Sequence, residues 1–310
     1  VLVTSLGDIF GALMEKAPEP KGGDPYRAKE FLEDLLDDIR AIKEDHSGRH
    51  EDYIRGSGLY MTCGRREAIL NVYPHLDRPD KIAPGQRLTF DVGHAQHEWW
   101  QNRYLGPMKR LWGSWYCIRC NTIVAEGLMP GKCPECLGGR KVLQFEEEQL
   151  LDPRLRYSGH PDGRLVDRDG NPRFLWELKT ISSSGYEGLT SPKISHVIQV
   201  HAYMRLMGLK EAMIQYLDKG RQCEWSHTSL GLRAGKVRIK VFHVEFDPAF
   251  WAGVEQRIMD YWRARALMAR DEIPVEADIA TFQRVCAGPG ARLAKDCSCR
   301  DKCFSLRVGK

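Results

Sequence analysis

YSGHPDGRLVDRDGNPRFLWELKTIS, residues 157–182, is the stretch on which the fold turns. GRLV (163–166) and RFLWELKT (173–180) read as two strands, and Asp169-Gly170-Asn171 between them is turn chemistry, so the segment is expected to be a β-hairpin. That hairpin brings Asp162, at the head of the first strand, near Glu177 in the second. Strand side chains alternate, so Glu177 and Lys179 share one face while Trp176 and Leu178 point into an apolar layer on the other. Two carboxylates and an ammonium then converge on one spot. The carboxylates repel each other, and a hard divalent cation with oxygen ligands, Mg²⁺ or Mn²⁺, removes that cost. Such a cation can polarise a phosphoryl oxygen and acidify a bound water, with Lys179 placed to orient that water. A Glu-x-Lys pair alone is common on solvated strands, so the neighbouring segments decide the reading.

Downstream, a helix is expected after Ser191-Pro192 to about Leu206, then strands at AMIQYLD (212–218) and VRIKVFHVEF (237–246). In the last of these Val237, Ile239 and Val241 alternate with Arg238 and Lys240. Asp247-Pro248 is an N-cap followed by proline at the first helical position, and the amphipathic run behind it continues to about Arg270. Upstream, short alternating runs punctuated by Gly and Pro from Trp112 onward suggest more sheet, and DVGHAQHEWWQNRYL (91–105) suggests a helix. GRREAILNVY (64–73) reads as another helix, and Phe31, Leu32, Leu35, Leu36, Ile39 and Ile42 repeat at helical spacing as a core-facing stripe. The expected layout is a mixed α/β core, a central sheet flanked by helices, wrapped by helical segments from both ends.

Pro161-Asp162 with Glu177-Leu178-Lys179 resembles the signature of the PD-(D/E)XK nucleases, whose core is restriction-endonuclease-like. Gln199 and Tyr203, four apart and so on one helical face, resemble the extra motif of the RecB-type branch. Gly93 with His97-Glu98 is similar to that branch's upstream histidine motif. The resemblance implies that His97, Asp162 and Glu177 bind the catalytic Mg²⁺ or Mn²⁺, that Lys179 assists the attacking water, and that Gln199 and Tyr203 support the site and contact DNA. By spacing alone His94 or His97 would serve, being three apart; the family pattern selects His97. His160 reads as a hydrogen-bonded loop histidine.

Ten cysteines point to metals. Cys117-x-x-Cys120 and Cys133-x-x-Cys136, twelve residues apart, have zinc-ribbon spacing, each knuckle placing two thiolates on one side of a turn for a tetrahedral Zn²⁺. The expected ribbon is an inserted module with its own metal-dependent fold, either a DNA-contacting flap carrying Arg119, Lys132, Arg140 and Lys141 or a structural closure. Cys63, in SGLYMTCGRREAIL (57–70), resembles the N-terminal cysteine of the iron–sulfur exonucleases in the RecB-type branch, phage-type and CRISPR-associated, which carry one cysteine before the core and three after it. The later set lies in VCAGPGARLAKDCSCRDKCF (285–304). The resemblance implies a [4Fe–4S] cluster, and the expected ligands are Cys63, Cys286, Cys297 and Cys303, with Cys299 as the spare. The sequence departs from the family in the spacing before the final pair. A second zinc site, or a buried unligated Cys63, is the rival reading.

The 310 residues are 42% hydrophobic and 28% charged, ordinary globular composition, and 46 basic against 42 acidic residues leave +4, too little for a polybasic binder. No apolar run approaches the roughly 20 residues of a membrane span, and no basic leader opens the chain, so a cytoplasmic location, the host's cytoplasm for a phage product, is expected. The expected parts are a helical region (1–85) carrying Cys63, the His97 helix (86–110), the cysteine ribbon (111–145), the nuclease core (146–250) and a C-terminal helix with the iron–sulfur cysteines (251–310). Taken with the resemblance, these features imply a metal-dependent DNA exonuclease acting on single-stranded ends in recombination, repair or replication, with recombination or helicase proteins as partners. A structure-specific endonuclease, a nuclease trimming DNA for CRISPR spacer capture, and a non-catalytic DNA-binding adaptor are the alternatives. Intact Asp162, Glu177 and Lys179 argue against the adaptor.

Overall fold

The computed structural model describes residues 33, 53–56, 59, 69, 73–76, 84–220, 223–227, 233–268 and 299. The chain divides into two compact units, Val1–Arg49 with Pro79–Gln96 and His50–Arg78 with His97–Lys310. In the first unit the described residues are almost all those of helix α1, which runs Pro84–Trp99 and passes into the second unit at His97. It begins seven residues before the expected Asp91. Pro84 at its first position sets the helical φ and lacks only an N–H that has no helical partner there.

Among its described residues the second unit runs through these strands and α-helices in order: β1 (Ile54–Arg55), β2 (Leu111–Cys117), β3 (Thr122–Leu128), β4 (Leu143–Glu146), β5 (Leu150–Asp152), β6 (Tyr157–Gly159), β7 (Gly163–Val166), β8 (Pro172–Ile181), α2 (Ser183–Glu187), α3 (Ile194–Met207), β9 (Glu211–Asp218), β10 (Cys223–His227), β11 (Arg233–Val237), β12 (Ile239–Glu245) and α4 (Pro248–Met268). A mixed sheet of order β12-β9-β8-β7-β2-β3 forms its centre, with β4 also paired to β2. β7 and β8 are the expected hairpin, in register Gly163 to Trp176. Its turn is held by Asp167, whose Oδ1 accepts from the backbone N–H groups of Asp169 and Asn171, while Gly170 takes a positive φ of 86°. β8 then returns through α3 to its parallel neighbour β9, with Glu177 beside Ile214 and Lys179 beside Tyr216.

β8 separates two apolar layers. Leu175 and Ile181 pack with α3 and α4, through Ile198, Tyr203, Trp251 and Ile258. Trp176 and Leu178 pack on the other face with Leu111 and Trp115. Trp176 anchors there by donating its indole N–H to Gln215 Oε1 at 3.1 Å. The odd-numbered residues of β8 thus face α3, which puts Glu177 and Lys179 opposite Gln199 and Tyr203.

Two expectations are revised by long-range packing. The strands around the cysteines share the main sheet, since Leu111 of β2 pairs with Leu165 of β7 and Ser114 with Glu146 of β4. At 237–241 the apolar alternation does not describe burial. Val241 is exposed, whereas Arg238 is buried because its Nε donates to the buried Asp218 carboxylate at 2.8 Å. The helical stripe of residues 31–42 and the 64–73 helix lie outside the described residues, apart from Glu33 and Ile69, which are helical, and Tyr73, which is not.

Candidate metal centres

Asp162 precedes Gly163, whose φ of 151° and lack of a side chain let β7 start against Leu111; a Cβ there would sit 2.5 Å from Leu111 Cδ1. That close approach places the carboxylate between two elements. Oδ2 accepts from the Leu178 backbone N–H at 2.5 Å, and Oδ1 meets His97 Nδ1 at 2.9 Å. On the same side of β8, Lys179 Nζ donates to Glu177 Oε1 at 2.6 Å. Glu177 is 2% exposed, and its other oxygen is buried with no hydrogen-bond partner among the described residues. From α3, Gln199 Nε2 donates to Tyr203 Oη at 3.0 Å, both side chains buried. Gly159 makes room for this, because a Cβ there would lie 2.3 Å from the Tyr203 ring.

All six residues singled out in the sequence therefore stand around one strand. Two that sequence reasoning missed join them. Glu147, from the segment between β4 and β5, offers a carboxylate oxygen that with His97 and Asp162 forms a set of ligand atoms lying within 4.8 Å of one another. Gln101 donates from Nε2 to Glu147 Oε1 at 2.8 Å and to the Asp162 backbone oxygen at 3.0 Å. Behind Lys179, His196 Nδ1 meets Tyr216 Oη at 2.7 Å, and the same hydroxyl accepts from the Lys193 backbone N–H at 3.0 Å. His94 and His160 are exposed.

The electrostatics are those of a crowded acidic pocket. Burial, then the Asp162 charge, pushes Glu177 up to about 7, with Lys179 and His97 pulling against it. Burial and Asp162 push Glu147 up to about 7 as well, against the Gln101 hydrogen bond and His97. Burial alone would depress His97 and Lys179, but the carboxylates beside them win and both are raised. Burial with the nearby Lys179 and Lys193 cations holds His196 neutral, down to about 3. An imidazole nitrogen, several carboxylates and an orphaned buried oxygen make a donor set that suits a hard divalent cation.

The four cysteines form the second centre. Cys117 closes β2, Cys120 lies in the turn to β3, and Cys133 and Cys136 occupy a second turn in which Leu137 N–H bonds to Cys133 O at 3.0 Å. Cys117 Sγ is 3.8 Å from Cys136 Sγ, and Cys120 Sγ is 3.7 Å from Cys133 Sγ. These are far longer than a disulfide, and they match the roughly 3.8 Å edge of a tetrahedron with metal–sulfur bonds of about 2.3 Å. The crowded thiols shift one another in opposite directions: against burial, the backbone N–H groups of Cys120 and Arg119 bring Cys117 down to about 7, while burial and the neighbouring thiols push Cys120 up to about 12. Arg119, Lys132, Arg140 and Lys141 are exposed. Of the expected iron–sulfur ligands, Cys63, Cys286, Cys297 and Cys303 lie outside the described residues, and Cys299 is buried. Among the described residues no helix is long and apolar enough to cross a membrane.

No family model matches the sequence, and no curated protein does. Among solved structures the chain is similar to SSO0001, at 16% identity over 84% of this chain and 97% of that one, with a TM-score of 0.40. It is similar to an alkaline exonuclease from Laribacter hongkongensis, at 13% identity over 71% and 91%, with a TM-score of 0.40. A phage-related exonuclease from Haemophilus somnus 129PT overlaps at 11% identity over 71% and 96%, with a TM-score of 0.41. Overlaps this distant leave the chain's own residues as the ground for a function.

Proposed function

We propose that the chain is a metal-dependent deoxyribonuclease of the PD-(D/E)XK type, an exonuclease that hydrolyses phosphodiester bonds at DNA ends, single-stranded ends foremost, in recombination, repair or replication. The observation that carries this reading is the convergence of His97, Asp162, Glu177 and Lys179 at the β7–β8 hairpin, with Asp162 fixed by the Leu178 N–H at 2.5 Å. His97, Asp162 and Glu177, joined by Glu147, are the groups that would hold Mg²⁺ or Mn²⁺. That cation would supply Lewis-acid stabilisation of charge on the phosphate and a more acidic water.

The remaining roles belong to side chains. Lys179 keeps its proton between Glu177 and Asp162, so its ammonium can orient a water for attack and offset charge developing on the phosphate. The Gln199–Tyr203 pair, locked by its hydrogen bond and by burial, backs the carboxylates and presents the α3 face to DNA. In this reading Cys117, Cys120, Cys133 and Cys136 hold a structural Zn²⁺, and Cys63, Cys286, Cys297 and Cys303 hold a [4Fe–4S] cluster. The zinc centre acts as a closure, because β2 and β4, which flank it, are also strands of the catalytic sheet.

The test is digestion of 5′- and 3′-labelled single- and double-stranded DNA with Mg²⁺, Mn²⁺ or EDTA. Mononucleotide release from one end, dependent on the cation, is expected. Internal cuts would make the chain an endonuclease, and binding without cleavage in any cation would make it an adaptor.

A further inference from the structure

Helix α1 does not end at Trp99. It continues through Trp100–Leu105 as a wider π-helical turn, in which the Gly106 N–H reaches back five residues to the Gln101 carbonyl at 2.9 Å. Gln101 lies four residues after His97, so the two share a face, and the widened turn closes on Gln101 itself. The residue is 3% exposed. The amide nitrogen has two hydrogens, and both are used, on Glu147 Oε1 at 2.8 Å and on the Asp162 backbone oxygen at 3.0 Å.

We propose that Gln101 is a positioning residue of the cation centre: delivered by the π-helical turn, its amide holds the Glu147 carboxylate beside Asp162 as a further ligand. This rests on the reading of that cluster as a divalent-cation site. Glu147 belongs to an irregular segment whose adjacent residues, Glu146 and Glu148, are both exposed. Repulsion from Asp162 would turn Glu147 outward with them unless a donor held it. A neutral amide does so without adding positive charge, so the carboxylate's charge stays available to a cation; a lysine or arginine in its place would compete for it. By also binding the Asp162 carbonyl, the same nitrogen fixes the spacing between the two acidic residues.

The test is calorimetric titration with MnCl₂ of the purified protein, its cysteine-bound centres intact and its acidic centre freed of divalent cation by dialysis, comparing wild type, Gln101→Met, Glu147→Gln and the double variant. Methionine keeps the length and burial of the side chain and removes the donors. Gln101→Met is expected to weaken Mn²⁺ binding about 10- to 100-fold, Glu147→Gln at least as much, and the double variant no more than Glu147→Gln alone. Wild-type affinity in Gln101→Met, or an undiminished loss on adding it to Glu147→Gln, would overturn the proposal. Failure of the wild type to bind Mn²⁺ would instead remove the cation-site reading beneath it.

Discussion

The two candidate metal centres are built in opposite ways. The four thiols come from 20 consecutive residues, Cys117 to Cys136, and two tight turns bring the sulfurs to 3.7 and 3.8 Å across. Ligand type and number are complete, as in structural sites. The acidic centre draws His97 from a helix end, Glu147 from a coil, Asp162 from a strand entrance and Glu177 from mid-strand, so only the finished sheet assembles it. Its donors are mixed, an oxygen of Glu177 has no partner among the described residues, and a lysine stands within 2.6 Å of the same residue. A centre that local sequence can close suits stability, and one left partly unsatisfied beside a cation suits chemistry.

The largest expected effect breaks that contrast from the acidic side. Glu177→Ala or Lys179→Ala should lower DNA cleavage by about a thousandfold or more while DNA binding persists, since the proposed function puts both groups at the reacting phosphate. Gel-shift and cleavage assays at matched Mn²⁺ check this, and near-normal cleavage by either variant would refute the assigned roles. From the other side, Cys117→Ser should lose the tetrahedral metal, read by elemental analysis, and lower Tm by roughly 5–10 °C. The proposed iron–sulfur ligands are a separate set, so visible iron–sulfur absorption should survive. A parent protein without zinc would end that part of the account.

Charge crowding gives a third contrast. In Glu147 and Glu177 the folded-state value is raised to about 7, so between the ordinary carboxylate range and pH 7 the folded state binds more protons than the unfolded one. Stability contributed by their protonated forms is then lost as pH rises through about 7. Metal-free protein should melt roughly 5 °C lower at pH 8 than at pH 5, and saturating Mn²⁺ or Glu177→Gln should flatten the slope. Differential scanning calorimetry reads this directly; a Tm rising over the same interval would contradict it. The smallest effect concerns the hairpin that aligns both acids. Asp167→Ala removes two backbone hydrogen bonds from its turn and should shift the urea-unfolding midpoint slightly down.

The same contrast explains what was legible. The cysteine spacing, the Asp-Gly-Asn turn, the two-residue period of Glu177 and Lys179 and the four-residue period of Gln199 and Tyr203 are local regularities, and each is visible in a single line of sequence. Glu147 sits in a Glu-Glu-Glu run that reads as a solvated charge patch, and its middle member is held inward by Gln101, 46 positions away in the sequence. Gln101 was hidden because a π-helical turn has no compositional signature. The fusion of the cysteine strands to the main sheet depends on Leu111 meeting Leu165, a contact across 54 positions that no window detects. The burial of Arg238 has the same origin, an ion pair with Asp218 twenty residues away.

The division of labour between the centres can be read in one measurement, anomalous diffraction from crystals grown with Mn²⁺, collected at the manganese and zinc edges. The account predicts a manganese peak within ligand distance of His97, Glu147, Asp162 and Glu177 and a zinc peak among the sulfurs of Cys117, Cys120, Cys133 and Cys136. Zinc filling the acidic cluster, or manganese binding only elsewhere in ordered crystals, would contradict it.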